Sequence, residues 1–174
     1  GLGGSAAVYQ ATDTKVGRDV AVKLPRQLAH ADAESQKQFD IEAKRYIRLQ
    51  HPNTLRLYDY GQTGDGQIYI VTELLTGDTL QDYMRNPDLC PNGRVEQSEA
   101  VRVLTQTCQS LVEAHGVGLV HRDIKPSNLF LLSLGGQRIT KVLDFGIAKD
   151  MLHETQTGTG SLWGTPAYMS PEQG

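Results

Sequence analysis

The stretch Val120–Phe130, VHRDIKPSNLF, limits what this chain can fold into more than any other. Apolar residues at both ends enclose His121, Arg122, Asp123, Lys125 and Asn128, and Pro126 bars a helix through them. Burying the two ends would pin an acid, a cation and an amide to one short loop at the rim of a core. A second polar group, Asp144 of Asp144-Phe145-Gly146, closes the segment that follows. That segment reads as a hairpin: Leu129–Leu132, the turn SLGGQR, then Ile139–Leu143.

The N-terminal half has a different texture. Ala7–Ala11 and Asp19–Leu24 read as strands joined by a turn at Lys15–Arg18. From about Asp32, a capping residue, to Gln50 the apolar residues Phe39, Ala43, Tyr46, Ile47 and Leu49 recur at helical spacing, and His51-Pro52-Asn53 breaks the pattern. Thr54–Tyr60 and Gln67–Leu74 then form two strands across the turn GQTGDG. Beyond Gly77-Asp78 come a short helix, Thr79–Met84, a loop from Asn86 to Gly93, and a long helix from about Ser98 to His115 ended by Gly116. Its expected buried face is Val101, Leu104, Cys108, Leu111, Val112 and His115, with Cys108 inside the stripe. The fold class is therefore α+β and bilobal. Residues 1–74 form a β-rich lobe with one helix, 75–174 the first part of a helical lobe, and Leu74–Gly77 the hinge.

Composition excludes several functions. A net charge of −3 gives no basic field for nucleic acid. No run of about 18 apolar residues is present to span a membrane. Cys90 and Cys108 are too far apart for a CxxC motif and read as reduced thiols of a cytoplasmic protein.

Two further segments suit phosphate chemistry. Gly1, Leu2, Gly3 and Gly4 open a G-x-G-x-x-A-x-V turn, whose bare backbone lets N–H groups approach phosphate oxygens; a glycine-rich turn is common, and Ala6 stands where a third glycine would. Lys23, in VAVK, places a cation in an apolar strand, and taken alone reads as a strand edge in water. Glu42, mid-helix, reads alone as a solvated helix face.

Taken in order, the Gly-rich turn, VAVK, the helix Glu, HRDIKPSN, DFG and Ser170-Pro171-Glu172 resemble a eukaryotic-type protein Ser/Thr kinase catalytic domain of bacterial type, here partial. The resemblance implies ATP and Mg as cofactors and proteins with Ser or Thr acceptors as partners. It makes Asp123 the residue that orients the acceptor hydroxyl, Lys125 a contact of the transferred phosphate, and Asn128 and Asp144 the metal ligands. Lys23 would hold the α- and β-phosphates, braced by Glu42. Gly1, Leu2, Gly3 and Gly4 would cover the phosphates, and Val8 and Ala21 would roof the adenine. Thr72 would guard the back of the pocket, Glu73 and Leu75 would offer hinge backbone, and Phe130 would be the floor, where the family more often has Leu. Tyr46, His121 and Phe145 correspond to the family's buried stack, and Thr165 to the threonine that bonds back to the catalytic loop. Lys125 favours Ser/Thr over Tyr acceptors. Arg122 before Asp123 implies control by phosphate in the loop after DFG, with Thr157 and Thr159 leading Thr155 and Ser161 as autophosphorylation sites. A pseudokinase and a small-molecule phosphotransferase are the competing readings. Intact Lys23, Asp123, Asn128 and Asp144 weigh against the first, and the SPE segment against the second. Because the chain starts within the Gly-rich turn and stops two residues past Glu172, these residues alone are expected to fold poorly or to be inactive.

Overall fold

A computed structural model describes residues 6–25, 33–135, 137–145 and 166–168. The chain divides into two units: one holds the described residues up to Gln50 together with Arg56–Leu75, and the other holds His51–Leu55 and the described residues from Thr76 onward.

In the first unit, β-branched and small residues build a four-stranded antiparallel sheet from β1 (Ala6–Asp13), β2 (Arg18–Pro25), β3 (Leu57–Gln62) and β4 (Ile68–Glu73), in the order β1-β2-β4-β3. Alternation on β4 buries Ile68, Ile70 and Thr72. Helix α1 (Ala33–Tyr46) buries Phe39, Glu42, Ala43 and Tyr46, one stripe at the 3.6-residue period. The Phe39 ring meets Tyr60 of β3 edge-on at 5.6 Å. Burial of the Tyr60 phenol, and after it the carboxylates of Asp40 and Asp59, push its ionisation above the usual range, so the ring packs as a neutral group. Two expectations for α1 change. Ile47 lies past the helix end in a turn and is exposed, because Tyr46 closes the helical stripe. Glu42, read from sequence as a solvated position, is only 5% exposed.

The second unit is built on a three-stranded antiparallel sheet, β5 (Gly77–Thr79), β6 (Leu129–Leu134) and β7 (Gln137–Val142). Strand β5 is too short for a period-2 pattern to reveal, and the sequence reading missed it. Helix α2 (Leu80–Arg85) starts on Thr79, whose hydroxyl accepts from the Asp82 amide. Helix α3 (Gln97–Gly116) packs against β7.

The buried side of α3 is the main correction to the sequence reading. It consists of Val103, Thr107, Ser110 and Ala114, whereas Val101, Leu104, Cys108, Val112 and His115 are exposed and Leu111 is half-buried. The reason is the strap His51–Leu55. This segment lies on α3 and β7, and only small or hydrogen-bonding residues admit it. Glu113 accepts from the His51 amide, the Ser110 and Thr54 hydroxyls bond at 2.7 Å, and Asn53 Nδ2 donates to Thr140 O and to Gln106. The Val142 amide donates to Asn53 O, and the Leu55 amide to Val142 O. This is also why β3 begins at Leu57 rather than Thr54: the backbone of Thr54 and Leu55 is already committed to β7.

Candidate active site

In the first unit, strand register gathers the expected nucleotide-site residues. Val8 lies opposite Lys23, Lys23 opposite Ile70, and Ala21 opposite Thr72. Directly opposed residues share a sheet face, so Val8, Ala21, Lys23 and Thr72 all project from one side. Tyr60 pairs with Ile70 on that same side, and α1 seats Phe39 on Tyr60. The helix stripe that contains Glu42 is thus turned toward the face that carries Lys23. Gln38 Nε2 donates to the Glu42 carboxylate at 3.4 Å. Thr72 is buried and its hydroxyl donates to Glu73 O at 3.3 Å. Glu73 is tied to Arg56 in both directions: its amide donates to Arg56 O, and its carboxylate accepts from the Arg56 amide. Leu75 follows in an unpaired-strand segment and is half-buried.

The second unit assembles the loop that carries Asp123, Lys125 and Asn128. Pro126 opens a single 3-10 turn, Pro126–Asn128, where its missing N–H costs nothing. That turn brings Asn128 back onto Asp123: Asn128 Nδ2 donates to Asp123 O at 2.8 Å and to Oδ2 at 2.9 Å. Lys125 Nζ reaches the same Oδ2 at 2.9 Å. The Asp123 side chain is 5% exposed and that of Lys125 24%. A buried carboxylate persists only where donors compensate its lost water, and here two side chains five and two residues away supply them. His121 is 1% exposed; its Nδ1 accepts from the Asp123 amide and its Nε2 bonds Leu143 O at 2.7 Å. Its ring lies 4.9 Å from Phe145, which is itself buried. The Leu143 amide donates to Asn128 O, which draws the main chain just ahead of Asp144 against Asn128. Arg122 and Asp144 both have positive φ, 61° and 50°. Non-glycine residues in that region cost of order 1–3 kcal/mol and persist where surrounding contacts enforce them. Here those contacts are the His121, Asn128 and Leu143 bonds.

Asn128 and Asp144 suit a hard divalent cation. The Asn128 amide nitrogen is spent on Asp123, so it is the oxygen end that could take a cation, and oxygen donors of this kind match Mg. Among the described residues no cluster of three or more His, Cys, Asp or Glu side chains forms a site.

Phe130 stands on β6 with its ring half-buried, between the buried Leu129 and Leu131. Tyr46 is buried in the first unit. Gly1, Leu2, Gly3, Gly4, Gly146, Thr155, Thr157, Thr159, Ser161, Thr165 and Ser170-Pro171-Glu172 lie outside the described residues.

The sequence reading has Asn53 as part of a helix breaker and misses its role as the strap's anchor, because its partners Gln106, Thr140 and Val142 lie far along the chain. It also missed the clamp at the other end of β7. Arg138 lies over the Tyr83 ring, donates to its hydroxyl at 2.9 Å and reaches Glu99 at 3.3 Å, while Arg102 bonds both Glu99 and Arg138 O.

The class that this loop, the HRD–DFG pairing and the four-strand register define is that of the protein kinases. A family model for the protein kinase domain matches residues 1–173, and the chain belongs to that family. It is 38% identical over 98% of its length to the serine/threonine-protein kinase PknA of Mycobacterium tuberculosis H37Rv, covering 39% of that protein. It is 36% identical over 99% of its length to the serine/threonine-protein kinase pkn3 of Myxococcus xanthus, covering 32% of it. The crystal structure of the M. tuberculosis PknI kinase domain matches with a TM-score of 0.74 at 28% identity, over 85% of this chain and 57% of that one. The chain thus spans less than half the length of these curated relatives. Its kinship is with bacterial Ser/Thr kinases, and among the described residues no helix is long and apolar enough to cross a membrane.

Proposed function

We propose that this chain carries the catalytic machinery of a protein kinase that transfers the γ-phosphate of ATP to Ser or Thr hydroxyls of proteins. The observation that carries the reading is the Asp123 carboxylate, buried and held by Lys125 and Asn128 on one oxygen. A carboxylate fixed in this way orients an acceptor hydroxyl and takes its proton as the phosphoryl group moves. Lys125 is near enough to exchange Asp123 for a phosphate oxygen, so that charge is neutralised where it develops. Asn128 and Asp144 would hold Mg, which supplies neutralisation of the triphosphate. Lys23 would bind the α- and β-phosphates with Glu42 as its brace, a pairing supported by the shared sheet face and by the burial of Glu42. Val8, Ala21, Thr72, Glu73, Leu75 and Phe130 would enclose the base. The Glu73 amide is spent on Arg56, so Glu73 presents its carbonyl, an acceptor suited to the exocyclic amine of adenine. Gly1, Leu2, Gly3 and Gly4 would cover the phosphates. Thr157 and Thr159 would be autophosphorylated, with Arg122 answering the added charge.

The test is transfer of label from γ-labelled Mg·ATP to casein, with phosphoamino-acid analysis, for a longer protein that carries this chain, wild-type and Asp123→Asn. The expected result is phosphoserine or phosphothreonine from the wild type and about 10²–10⁴-fold less from the variant. Equal labelling by both, or label on tyrosine alone, would reject the reading. Mass spectrometry of the same reactions locates loop phosphate; none on Thr157 or Thr159 would remove that part of it.

A further inference from the structure

In an antiparallel pair, alternate residues of a strand turn their N–H and C=O away from the partner. On β7 those residues are Thr140 and Val142, opposite Leu131 and Leu129 of β6, and they are 1% and 0% exposed. Outward main-chain groups buried in this way need other partners. At Val142 the strap's main chain supplies them: the Val142 amide donates to Asn53 O at 2.7 Å, and the Leu55 amide to Val142 O at 3.0 Å. At Thr140 two side-chain amides do this instead. The Thr140 amide donates to Gln106 Oε1 at 2.7 Å, and Asn53 Nδ2 donates to Thr140 O at 2.7 Å. Asn53 Nδ2 also donates to Gln106 Oε1 at 3.3 Å, which ties the two amides to each other.

We propose that Gln106, paired with Asn53, is a positioning residue for the metal site. This rests on the reading of Asn128 and Asp144 as ligands of Mg. Beyond Val142 the Leu143 amide donates to Asn128 O, Leu143 O bonds His121 Nε2, and Asp144 follows at φ 50°. A non-glycine residue keeps such a φ only where its surroundings enforce it. With its outer edge pinned, β7 cannot slide on β6, and Leu143 meets Asn128 and His121 at one fixed height. Without the Gln106 acceptor the buried Thr140 N–H is left unpaired, and the strand shifts to find it a partner. That shift passes through Lys141 and Val142 to Leu143 and loosens Asp144 against Asn128. Gln106 acts only through the main chain of β7. Groups that orient a metal's ligands typically carry about 10- to 100-fold of its affinity.

The experiment measures dissociation constants of ADP with and without Mg, amide hydrogen exchange and melting temperature in a longer protein that carries this chain. Gln106→Met keeps the side chain's length and removes the acceptor, whereas Gln106→Glu keeps the acceptor. Ser110→Ala cuts the strap's bond to α3 through Thr54 and leaves β7 alone. Gln106→Met is expected to lower the affinity that Mg adds to ADP by about 10-fold, to leave metal-free ADP as in the wild type, and to speed exchange at the Thr140 and Leu143 amides. Gln106→Glu is expected to recover both losses, and Ser110→Ala to lower the melting temperature with the Mg contribution intact. Asn53→Ala, which removes the other amide, is expected to follow Gln106→Met and replaces it in the comparison if that variant does not fold. If Mg adds nothing to ADP affinity in the wild type, the metal-site reading falls and the proposal with it. If Mg adds as much in Gln106→Met and Asn53→Ala as in the wild type, the positioning role alone is overturned and the kinase reading stands. A loss in Ser110→Ala equal to that in Gln106→Met marks a general loosening of the fold, and that also overturns it.

Discussion

Asp123 shows how few residues a short loop needs to define a charge. Its Oδ2 takes one bond from a neutral amide and one from a cation, and the two donors do different jobs. Asn128 also bonds the Asp123 main chain and carries the contact to Leu143, so it belongs to the architecture of the loop. Lys125 gives its main-chain carbonyl to the Asn128 amide, but its side chain is a quarter exposed, which suits the ammonium to the phosphate contact proposed for it. Lys125→Met is therefore expected to lower kcat by about 10²–10³, to leave KM for the nucleotide within a few-fold, and to shift the melting temperature little. Steady-state kinetics with varied ATP separates these: a KM rise with kcat intact would mean that Lys125 contributes binding only and would contradict the assignment. These residues were legible from sequence because their spacing is local. Pro126 forces the turn, and the turn forces the meeting of Asp123 with Asn128.

Among the elements, legibility follows the range of the interactions. Strands β1, β2 and β4 and helices α1 and α3 emerge from periodicity at nearly their observed bounds, since each is an uninterrupted pattern. The buried face of α3 does not, because apolarity alone chooses Val101, Leu104 and Val112, while the strap chooses Ser110, Thr107 and Ala114 for size and hydrogen bonding. Residues 51–55 acquire that influence only through long-range bonds to Gln106, Ser110, Thr140 and Val142, invisible to any window along the chain. The same holds for the clamp joining α2, α3 and β7. Burial works against ionisation of Glu99, but hydrogen bonds and charge from Arg102 and then Arg138 outweigh it, and its carboxyl titrates below the usual range. A carboxyl lowered in the folded state stabilises in full above its unfolded value, near pH 4.3, and loses that stability as pH falls through the lower folded value. Glu99→Gln is accordingly expected to cost about 1 kcal/mol at pH 7, an amount tempered by the 41% exposure of Arg138. The gap from wild type should close as the pH drops below about 4. Urea titrations of both proteins across that range check it; a gap that widens in acid would have the wrong sign.

On the scale of the whole molecule, helix α3 stands apart: it buries Thr107 and Ser110 and turns a row of apolar residues outward. Val101, Leu104 and Val112 are 57%, 60% and 72% exposed on α3, with Cys108 between them. The opposite side of the same helix, with Ser110 and Ala114 at 0%, is packed against β7 and the strap. An exposed apolar row of this length favours self-association and contributes little to the stability of the fold that bears it. Replacing Leu104 and Val112 together with Lys removes the row, and lysine is at least as good a helix former. The double variant is expected to unfold within about 0.5 kcal/mol of wild type and to sediment as a smaller species at high concentration. Val103→Lys, which puts a charge at a position 2% exposed, is expected to unfold the protein instead, because that side chain has no route to water. The contrast between neighbours one residue apart is the decisive measurement: should Leu104→Lys/Val112→Lys prove as damaging as Val103→Lys, the outer face of α3 is covered in solution, and the polar strap is not what gives this helix its inside.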